Sequence, residues 1–500
     1  MKKLEMKEME VIEGGVSRAQ YCGILWSTLT GGGYQGDVLW GWQVYGNNCA
    51  GHFDAKLKVF RFKSGHFSYM RYLFFLLLLL TGENQLQGQD RSYIRISGTV
   101  TNSKDNSAIV SANVYLRRSS IGTFTNETGQ FTFFVPDSLA NDTLVVSSIG
   151  YKTFFGNILD LKPKDDLKIV LELSEIILEE VIIQAKSDYA GFLVEQALKN
   201  LPYNLSKKQF LLQAFYRELA IIDSTYIRLI EAAIEIQDYG YGSDLARRKI
   251  EVIELRKSED NITYGVGSTL VKLLFGEDNM LYKTVNLDFL RRQKTNPKLE
   301  VIDQKSFLDE YNFHLEGYTS LDNDSLAIVG FHTDESNTSR PYYEGKLFIK
   351  LKDKAVIKME YGMLANPKMT FRNQNDVYYQ GKFFFKASID YKLLDEKYFL
   401  SRLTFIKPVN FDAVKNGKGQ QYAVFDLSVN NVITRKKDFD RIRKRDSQEN
   451  DVDLYGQDFK YNQDFWQFYN MVKLNPLLKK VKTDLEKEES LEHQFKKNEH

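Results

Sequence analysis

Apolar and polar residues alternate in short runs between residues 93 and 173, the pattern typical of half-buried β-strands. The clearest runs are Tyr93-Ile-Arg-Ile-Ser, Ala112-Asn-Val-Tyr-Leu and Gln130-Phe-Thr-Phe-Phe-Val. Turn residues recur between the runs, at Asp105-Asn106, Thr128-Gly129, Asn141-Asp142 and Gly150. Short alternating strands with a turn about every 8–12 residues predict a small antiparallel β-sandwich over residues 93–173.

The pattern then changes to a helical one. Between Ser187 and Asn200 the apolar residues recur with i, i+3, i+4 and i+7 spacing, and Pro202 is expected to end this helix. The run at 225–236 alternates only in part, so the sequence leaves both helix and strand open for it. A last amphipathic helix is predicted from Leu477 to Phe495, after an aromatic cluster at 464–469.

From Tyr311 onward, clear alternation returns and predicts hairpins. The expected strand pairs are 313–315 with 326–329, 343–351 with 355–361, and 383–393 with 398–406, followed by a last strand at 422–433. Consecutive hairpins with one apolar face predict a wide, curved antiparallel sheet. The candidate helices, including a weak one at 267–275, are too few to cover that face. We therefore expect an apolar groove lined by residues such as Phe385.

The stretch that begins at Met70 has the layout of a secretory signal peptide. A basic start with Arg71 leads into the apolar run Leu73–Leu80, and a polar stretch with small residues follows. We interpret residues 70–89 as this signal. Residues 1–69 differ in composition from everything downstream and hold both cysteines. We interpret them as an atypical extension, which is either not native, because the start codon is misassigned, or disordered. The alternative is a cytoplasmic extension ahead of a signal-anchor.

Charge and cysteine content exclude several classes of protein. The chain has 67 Lys and Arg against 66 Asp and Glu, so bulk charge does not favour a nucleic-acid partner. No cysteine follows Cys49, which removes disulfides and thiolate metal sites from the expected mature chain. The mixed-charge run at 435–445 is expected to be a solvated loop, with contact to anionic lipid headgroups or lipopolysaccharide as its functional alternative.

Recognisable catalytic motifs are absent from the sequence: it contains no HExxH, no GxSxG and no P-loop. His314 and His332 lie in facing strands of one predicted hairpin and are expected to be neighbours, with Glu316 and Asp334 near them in sequence. We interpret these histidines as surface or edge-strand residues, and a two-histidine metal site is the alternative. The sequence thus nominates no catalytic, cofactor-binding or metal-binding residue.

The predicted sandwich carries a recognisable motif. Its elements are Ile96-x-Gly98-x-Val100, Ala112-x-Val114, Gly122-Thr123, Thr125-x-x-x-Gly129-x-Phe131 and Ile149-Gly150-Tyr151. This string resembles the carboxypeptidase-regulatory-like domain, a transthyretin-like sandwich common in exported proteins of Bacteroidetes-type bacteria. The resemblance implies export and no peptidase activity. Gly129 is expected to have positive φ in a turn, and Asn126 stands where the family usually has Asp, so no calcium site is expected there.

A looser resemblance covers residues 187–475, which look like the curved half-barrel of bacterial lipoprotein carriers. The run Leu178–Gln184 is similar to the segment that follows this sandwich in TonB-dependent outer-membrane receptors. Too few residues remain after Gln184 for the barrel of such a receptor. A full receptor is therefore excluded.

Together these patterns predict a mainly β protein: a small antiparallel β-sandwich followed by a larger curved antiparallel sheet with a few helices. The expected segments are a sandwich at 93–173, a linker at 174–186, the curved β domain with covering helices at 187–475, and a C-terminal amphipathic helix and tail at 476–500.

We expect a non-catalytic, exported cell-envelope binding or scaffold protein, periplasmic or outer-membrane associated, without cofactor. Its expected partners are outer-membrane or envelope components. The alternatives are a carrier of a lipid or other apolar ligand, and an envelope hydrolase with an unrecognised site. The sequence leaves the ligand and the oligomeric state open.

Overall fold

The computed structural model describes most of the chain after residue 91. The described residues are 92–161, 166–174, 189–222, 225–243, 247–259, 279–291, 307–334, 342–364, 383–408, 421–435, 439, 442–444, 447–448, 453–472 and 477–497. The signal peptide and extension predicted at 1–89, most of the linker and the weak helix at 267–275 lie outside these residues.

The described chain is mainly β, as predicted. The strands are β1 (Tyr93–Asn102), β2 (Asn113–Leu116), β3 (Gly122–Phe124), β4 (Gln130–Pro136), β5 (Thr143–Ser147), β6 (Phe154–Asn157), β7 (Leu167–Leu171), β8 (Phe210–Ile222), β9 (Thr225–Asp238), β10 (Lys249–Lys257), β11 (Tyr311–Leu321), β12 (Asp324–Thr333), β13 (Tyr342–Lys350), β14 (Val356–Leu364), β15 (Phe383–Leu394), β16 (Lys397–Pro408) and β17 (Gln421–Ile433). The helices are α1 (Tyr189–Asn204), α2 (Met280–Val285), α3 (Phe307–Glu310), α4 (Gln463–Phe468), α5 (Leu477–Leu485) and α6 (Leu491–Lys497), with short 3-10 turns at Asp137–Leu139 and Phe289–Arg291.

Strands β1 to β7 form the sandwich that the alternation predicts. One sheet has the order β4-β1-β7 and the other the order β3-β2-β5-β6, and both place apolar side chains such as Ile96, Val114 and Phe131 in a shared core. The sandwich differs from the prediction in one strand pair, because β7 runs parallel to β1. No hairpin joins those two strands: the chain crosses from β6 in the other sheet, so hairpin geometry does not impose an antiparallel pairing.

Strands β8 to β17 form one antiparallel sheet, which we call the large sheet. Its order is β10-β9-β8-β17-β16-β15-β14-β13-β12-β11. The chain runs outward from β8 to β10, crosses to the opposite edge at β11, and returns strand by strand until β17 pairs with β8. The predicted hairpins and last strand are confirmed, and the ambiguous run at 225–236 lies in strand β9.

Helix α1 packs against one face of the large sheet, which we call the apolar face. Leu193, Val194 and Ala197 are buried there among the sheet's apolar side chains. The prediction that Pro202 ends this helix is wrong, since α1 continues to Asn204. Two contacts stabilise the last turn. Leu201 packs in the core, and its carbonyl accepts a hydrogen bond from the Leu205 amide at 2.9 Å. This packing offsets the cost of an interior proline.

The C-terminal segment, which runs from α4 to α6, covers the opposite face at the β8–β10 end of the large sheet. Val481 and Leu485 of α5 and Phe495 of α6 form a core cluster with Leu229 of β9. The single helix predicted from Leu477 to Phe495 is thus two helices. The Gln494 side chain donates to the Leu485 carbonyl at 2.7 Å and closes the end of α5, which is why the chain can turn back onto the sheet.

The predicted groove at Phe385 is not found, because that residue belongs to the core. Phe385 is 1% exposed, and its ring makes edge contacts with Tyr361 and Phe405 at centroid distances of 5.4 Å. Among the described residues, side chains of the curved sheet form one core cluster with those of α1, α2 and α3 on this face. Among the described residues, no helix is both long and apolar enough to cross a membrane.

Candidate functional site

The face of the large sheet opposite α1 carries an open cleft over strands β11 to β16, with a volume of about 760 Å³. Side chains alternate across a strand, so Leu347 and Ile349 point into the core while Lys346 points out to this face. We call this site the polar cleft. Its lining is mostly charged, hydroxyl-bearing or histidine side chains.

Two cross-strand rows of residues form the cleft. The first row is His314, Gly330, Lys346, Glu360, Ser388 and Thr404, each directly opposite the next. The second row is His332, Glu344, Gly362, Lys386 and Ile406. Gly330 and Gly362 have no side chains but are buried, and the His314 ring covers Gly330: a Cβ there would lie 2.4 Å from His314 Nε2. The cleft is therefore lined by the donors and acceptors of the other side chains in the two rows.

Ion pairs in the cleft are exposed to water. Lys346 Nζ lies 2.5 Å from Glu316 Oε2, with the two side chains 48% and 28% exposed. Lys358, beside the cleft, bridges Glu360 at 2.8 Å and Asp390 at 3.6 Å. Burial opposes charge on Lys358, but the two carboxylates outweigh it and raise its pKa. Exposed pairs such as Lys346–Glu316 contribute little to stability, so a ligand can replace one partner at low cost.

His314 and His332 are neighbours, as predicted, with ring centroids 6.1 Å apart. His332 also stacks on Tyr342 at 6.1 Å, and its Nδ1 lies 3.0 Å from the Thr333 carbonyl oxygen. A hydrogen on Nδ1 leaves Nε2 as an acceptor. His314 Nε2 is 3.7 Å from Glu316 Oε1.

Metal binding needs several such ligands at one point. Within the described ranges, no three His, Cys, Asp or Glu side chains converge to hold a metal ion. Asp334, which the sequence placed near these histidines, follows the end of β12 and does not line the cleft.

The sandwich packs on the same face as the polar cleft, with β3 against β17. Arg402 of β16 is the central contact. Its guanidinium binds Asp426 through two hydrogen bonds of 3.0 and 2.8 Å, donates to Ser111 Oγ at 2.6 Å, and lies 5.4 Å from the centre of the Phe124 ring. Burial opposes its charge, but Asp426 outweighs burial and raises the pKa of Arg402. Arg402, paired with Asp426, thus joins the large sheet to the sandwich.

Further hydrogen bonds extend this contact. Ser120 Oγ donates to the Val432 carbonyl at 2.8 Å and accepts from the Val432 amide at 3.0 Å. The Asn470 side chain binds both the amide and the carbonyl of Phe134, at 2.7 and 3.0 Å. The Gly150 amide donates to the Ser320 carbonyl of β11 at 2.8 Å. The sandwich is therefore attached to the large sheet at several separated points.

The turn that carries the sandwich motif has the predicted geometry. Gly129 has φ +72°, and a Cβ there would lie 2.4 Å from the Val100 carbonyl oxygen, so no other residue fits. Asn126 Oδ1 accepts hydrogen bonds from the amides of Thr128 and Gln130 at 3.0 and 2.9 Å. That side chain is thus used to hold the turn.

Two buried aspartates, Asp238 and Asp288, form an acidic cluster beside the large sheet. Asp238 binds Arg248 at 2.9 Å and Arg291 at 2.8 Å, while Asp288 accepts a hydrogen bond from Tyr391 at 2.9 Å. Burial raises the pKa of Asp288. Both carboxylates are buried and held by arginine or tyrosine, so the cluster fixes the 280–291 segment to the sheet. Sequence reasoning missed it; the only local signal was a polar residue at the end of an otherwise apolar run.

The basic run at 435–445 is only partly described. In the described part, Phe439 and Ile442 are buried, and Lys249 Nζ donates to the Ile442 carbonyl at 2.8 Å. Ile442 thus contacts the β10 edge of the large sheet, and the centre of the Phe439 ring lies 5.1 Å from that of Tyr239, which follows β9. The expectation of a solvated loop is therefore wrong for Phe439 and Ile442, whose apolar side chains gain burial there, while Arg443 and Lys444 are exposed.

The solved structures that this chain resembles have low sequence identity to it. A DUF1329 family protein from Desulfovibrio piger is 10% identical, with 49% of this chain and 93% of that chain covered, at a TM-score of 0.22. A candidate outer membrane lipoprotein-sorting protein domain from Vibrio parahaemolyticus is 7% identical, covers 51% and 94%, and has a TM-score of 0.22. MucB bound to MucA from Pseudomonas aeruginosa is 9% identical, covers 48% and 94%, and has a TM-score of 0.15. TM-scores of this size carry no argument about function.

The comparison with protein families concerns the sandwich. A search of curated proteins finds no significant match. The model of the CarboxypepD_reg-like domain matches residues 96–183, less than a fifth of the chain, and confirms the resemblance carried by the motif around Gly129. Residues 96–183 are therefore a carboxypeptidase-regulatory-like domain.

Proposed function

We propose that this protein is a non-catalytic binding or scaffold protein of the cell envelope, and that the polar cleft receives a polar ligand or partner. The observation that carries the proposal is the difference between the two faces of the large sheet. Its own helices and side chains fill the apolar face, whereas the opposite face holds a cleft of about 760 Å³. That volume lies within the usual range of ligand sites, about 300–1,000 Å³.

Two further observations support a place in the envelope. The sequence at 70–89 has the layout of a secretory signal. The carboxypeptidase-regulatory-like domain at 96–183 resembles domains that are common in exported proteins. Because this domain packs beside the cleft through Arg402, it fixes one border of the binding face.

Binding can be tested with the chain from Arg91 onward and three envelope materials: peptidoglycan sacculi, lipopolysaccharide, and phosphatidylethanolamine vesicles. We expect co-sedimentation with at least one of them. The charge reversals Lys386→Glu and Glu344→Lys should weaken it, because both residues line the cleft. Lys199→Glu on the exposed surface of α1 is the matched control and should bind normally. No binding to any of the materials, or equal loss with the control, would contradict the proposal.

A carrier of an apolar ligand is the alternative that the sequence raised. It requires free volume on the apolar face, where residues such as Phe385 are packed in the core. The discriminating measurement is mass spectrometry of an organic extract of the purified chain. We expect no stoichiometric acyl lipid; a bound lipid at one per chain would favour the carrier over the polar-cleft proposal.

The histidines of the cleft are the observation that favours a hydrolase as the other alternative. A histidine that acts as a general base is usually oriented by a hydrogen-bonded partner. His332 has such a partner in the Thr333 carbonyl at 3.0 Å, whereas His314 is 3.7 Å from Glu316, whose carboxylate already binds Lys346 at 2.5 Å. We propose binding without turnover. Hydrolysis of a chromogenic ester, phosphate or glycoside that His332→Asn abolished would favour the hydrolase.

A further inference from the structure

A second cavity, of about 190 Å³, lies where the sandwich meets the large sheet. Tyr115 and Ser147 of the sandwich line one side, and Lys392 and Tyr398 line the other, with Asp322 of the β11–β12 turn at the border. We call this cavity the seam pocket. It is separate from the polar cleft and has no part in the function proposed above.

Lys392 is the unusual residue of the seam pocket. Its Nζ donates to the Ser120 carbonyl at 3.1 Å and lies 3.4 Å from the Val429 carbonyl. Among the described residues, no carboxylate lies within 4 Å of this nitrogen. An amine held by two carbonyl oxygens still has a third position directed elsewhere. Lys392 is thus a half-buried lysine without an acidic partner, beside an enclosed space.

The other charged groups near the pocket are already engaged. Asp324 binds Lys350 at 2.6 Å, Asp322 accepts from Thr153 at 2.5 Å, Tyr398 donates to Asp353 at 2.9 Å, and Arg117 lies 5.5 Å from the centre of the Phe155 ring. None of these contacts involves the amine of Lys392. Burial lowers the pKa of Lys392 to about 7. A substantial fraction of the amine is therefore unprotonated near neutral pH and carries a free electron pair, as in other desolvated nucleophilic lysines.

We propose that Lys392 is a covalent capture site for small aldehydes that enter the seam pocket. The nitrogen electron pair forms a bond to the carbonyl carbon, and one proton passes from nitrogen to the carbonyl oxygen to give a neutral carbinolamine. The hydroxyl then leaves with the second nitrogen proton as water, and the imine remains. The reaction needs no oxidant or reductant. The pocket volume restricts the ligand to a compound of a few carbons.

The test uses the full chain with propanal and cyanoborohydride at pH 7, followed by peptide mass mapping. Lys354 is the internal control, because it is also half-buried and donates to a carbonyl, that of Leu351 at 2.6 Å, but lies outside the pocket. Because part of the Lys392 amine is unprotonated at pH 7, we expect labelling of Lys392 to be roughly tenfold faster than labelling of Lys354. Labelling at or below the control rate overturns the proposal.

Two further measurements separate the pocket from simple lysine reactivity. A four-ring aromatic aldehyde is too large for the pocket, so the preference for Lys392 should disappear with it, and an equal preference for both aldehydes overturns the assignment. Denaturation in urea should also abolish the preference, because burial is its cause. If it persists in the unfolded chain, local sequence is responsible and the seam pocket is not the site.

Discussion

The two ends of the large sheet use the same charged side chains in opposite ways. At the β8–β10 end both faces are covered, and the 1% exposed Glu231 bridges Arg217 at 2.7 Å and Arg256. Where the polar cleft crosses β11–β16, one face is open, and the pair Lys346–Glu316 is exposed to water. Buried pairs lock a structure because breaking them is costly, whereas exposed pairs contribute little. We therefore infer a structural role for the β8–β10 end and a binding role for the β11–β16 end.

The C-terminal segment creates this difference. The centre of the Trp466 ring lies 4.3 Å from the guanidinium carbon of Arg256, and the Val472 carbonyl accepts a hydrogen bond from Arg217 at 3.0 Å. Without that segment, the Arg217–Glu231–Arg256 row would be an exposed polar row like the one in the cleft. The two ends of the large sheet therefore differ because the C-terminal segment packs on one end and not on the other.

Removing the bridging charge should have the largest effect. In Glu231→Gln, the buried Arg217 and the partly buried Arg256 lose their carboxylate, which costs about 3–5 kcal/mol of unfolding free energy in comparable buried pairs. Chemical denaturation measures this loss. Glu316→Gln in the cleft, where the partner is the exposed Lys346 at 2.5 Å, is the matched control and should cost at most about 1 kcal/mol. Equal losses in the two variants would contradict the division between the ends.

The same carboxylate predicts acid sensitivity. Burial alone would raise the pKa of Glu231, but Arg256 and Arg217 outweigh it and lower the pKa below the ordinary 4.5. The stabilisation is therefore complete above about pH 4.5 and is lost as the pH falls through the lowered value. In Glu231→Gln, stability should change less between pH 5 and pH 3 than in the unaltered chain.

A second comparison concerns the two faces of the sheet instead of its ends. Phe385→Ala opens a cavity in the apolar core and should cost about 3–5 kcal/mol. Ile406→Ala, at the rim of the cleft, removes a side chain that is 37% exposed and should change stability by about 0.5 kcal/mol. Thermal denaturation of the two variants gives the contrast. A small loss at Phe385 would mean that the face is less well packed than the structure indicates.

Local signals explain how much of this fold could be predicted from sequence. The hairpins were predictable because their alternation and turn residues are adjacent in the chain, and Gly129 because its turn admits only glycine. Pro202 misled because core packing of Leu201 outweighs a local helix-breaking signal. The sequence could not show which face the C-terminal helices cover, since an amphipathic helix does not specify its partner.

The site was less predictable for the same reason. His314 and His332 belong to one hairpin, so their proximity could be predicted. The cleft rows combine strands that are distant in sequence, and charged residues such as Glu231 suggest solvent exposure when they alternate with apolar ones. Lys392 and Ser120 are 272 residues apart, and no pattern in either segment indicates their contact.

The seam between the sandwich and the sheet should show a smaller effect that depends on pH. The pKa of Lys392 is lowered to about 7, whereas the unfolded chain keeps its proton up to about pH 10.4. The unfolded state thus binds more protons between these values, and stability should rise with pH across that window. In Lys392→Met this contribution to the slope disappears, with the largest gain in melting temperature at or below pH 7. The exposed variant Lys199→Met should show no such gain.

The smallest effect on stability is expected inside the polar cleft itself. Lys346→Glu replaces one partner of an exposed pair and places two carboxylates, those of Glu316 and the new residue, opposite each other. In water this should lower the unfolding free energy by no more than about 1 kcal/mol, and added salt should reduce the loss by screening the repulsion. Denaturation at low and high ionic strength measures both changes. A loss as large as that of Glu231→Gln, or one that salt does not reduce, would mean that this face is covered in the folded protein and that the contrast between the two ends is wrong.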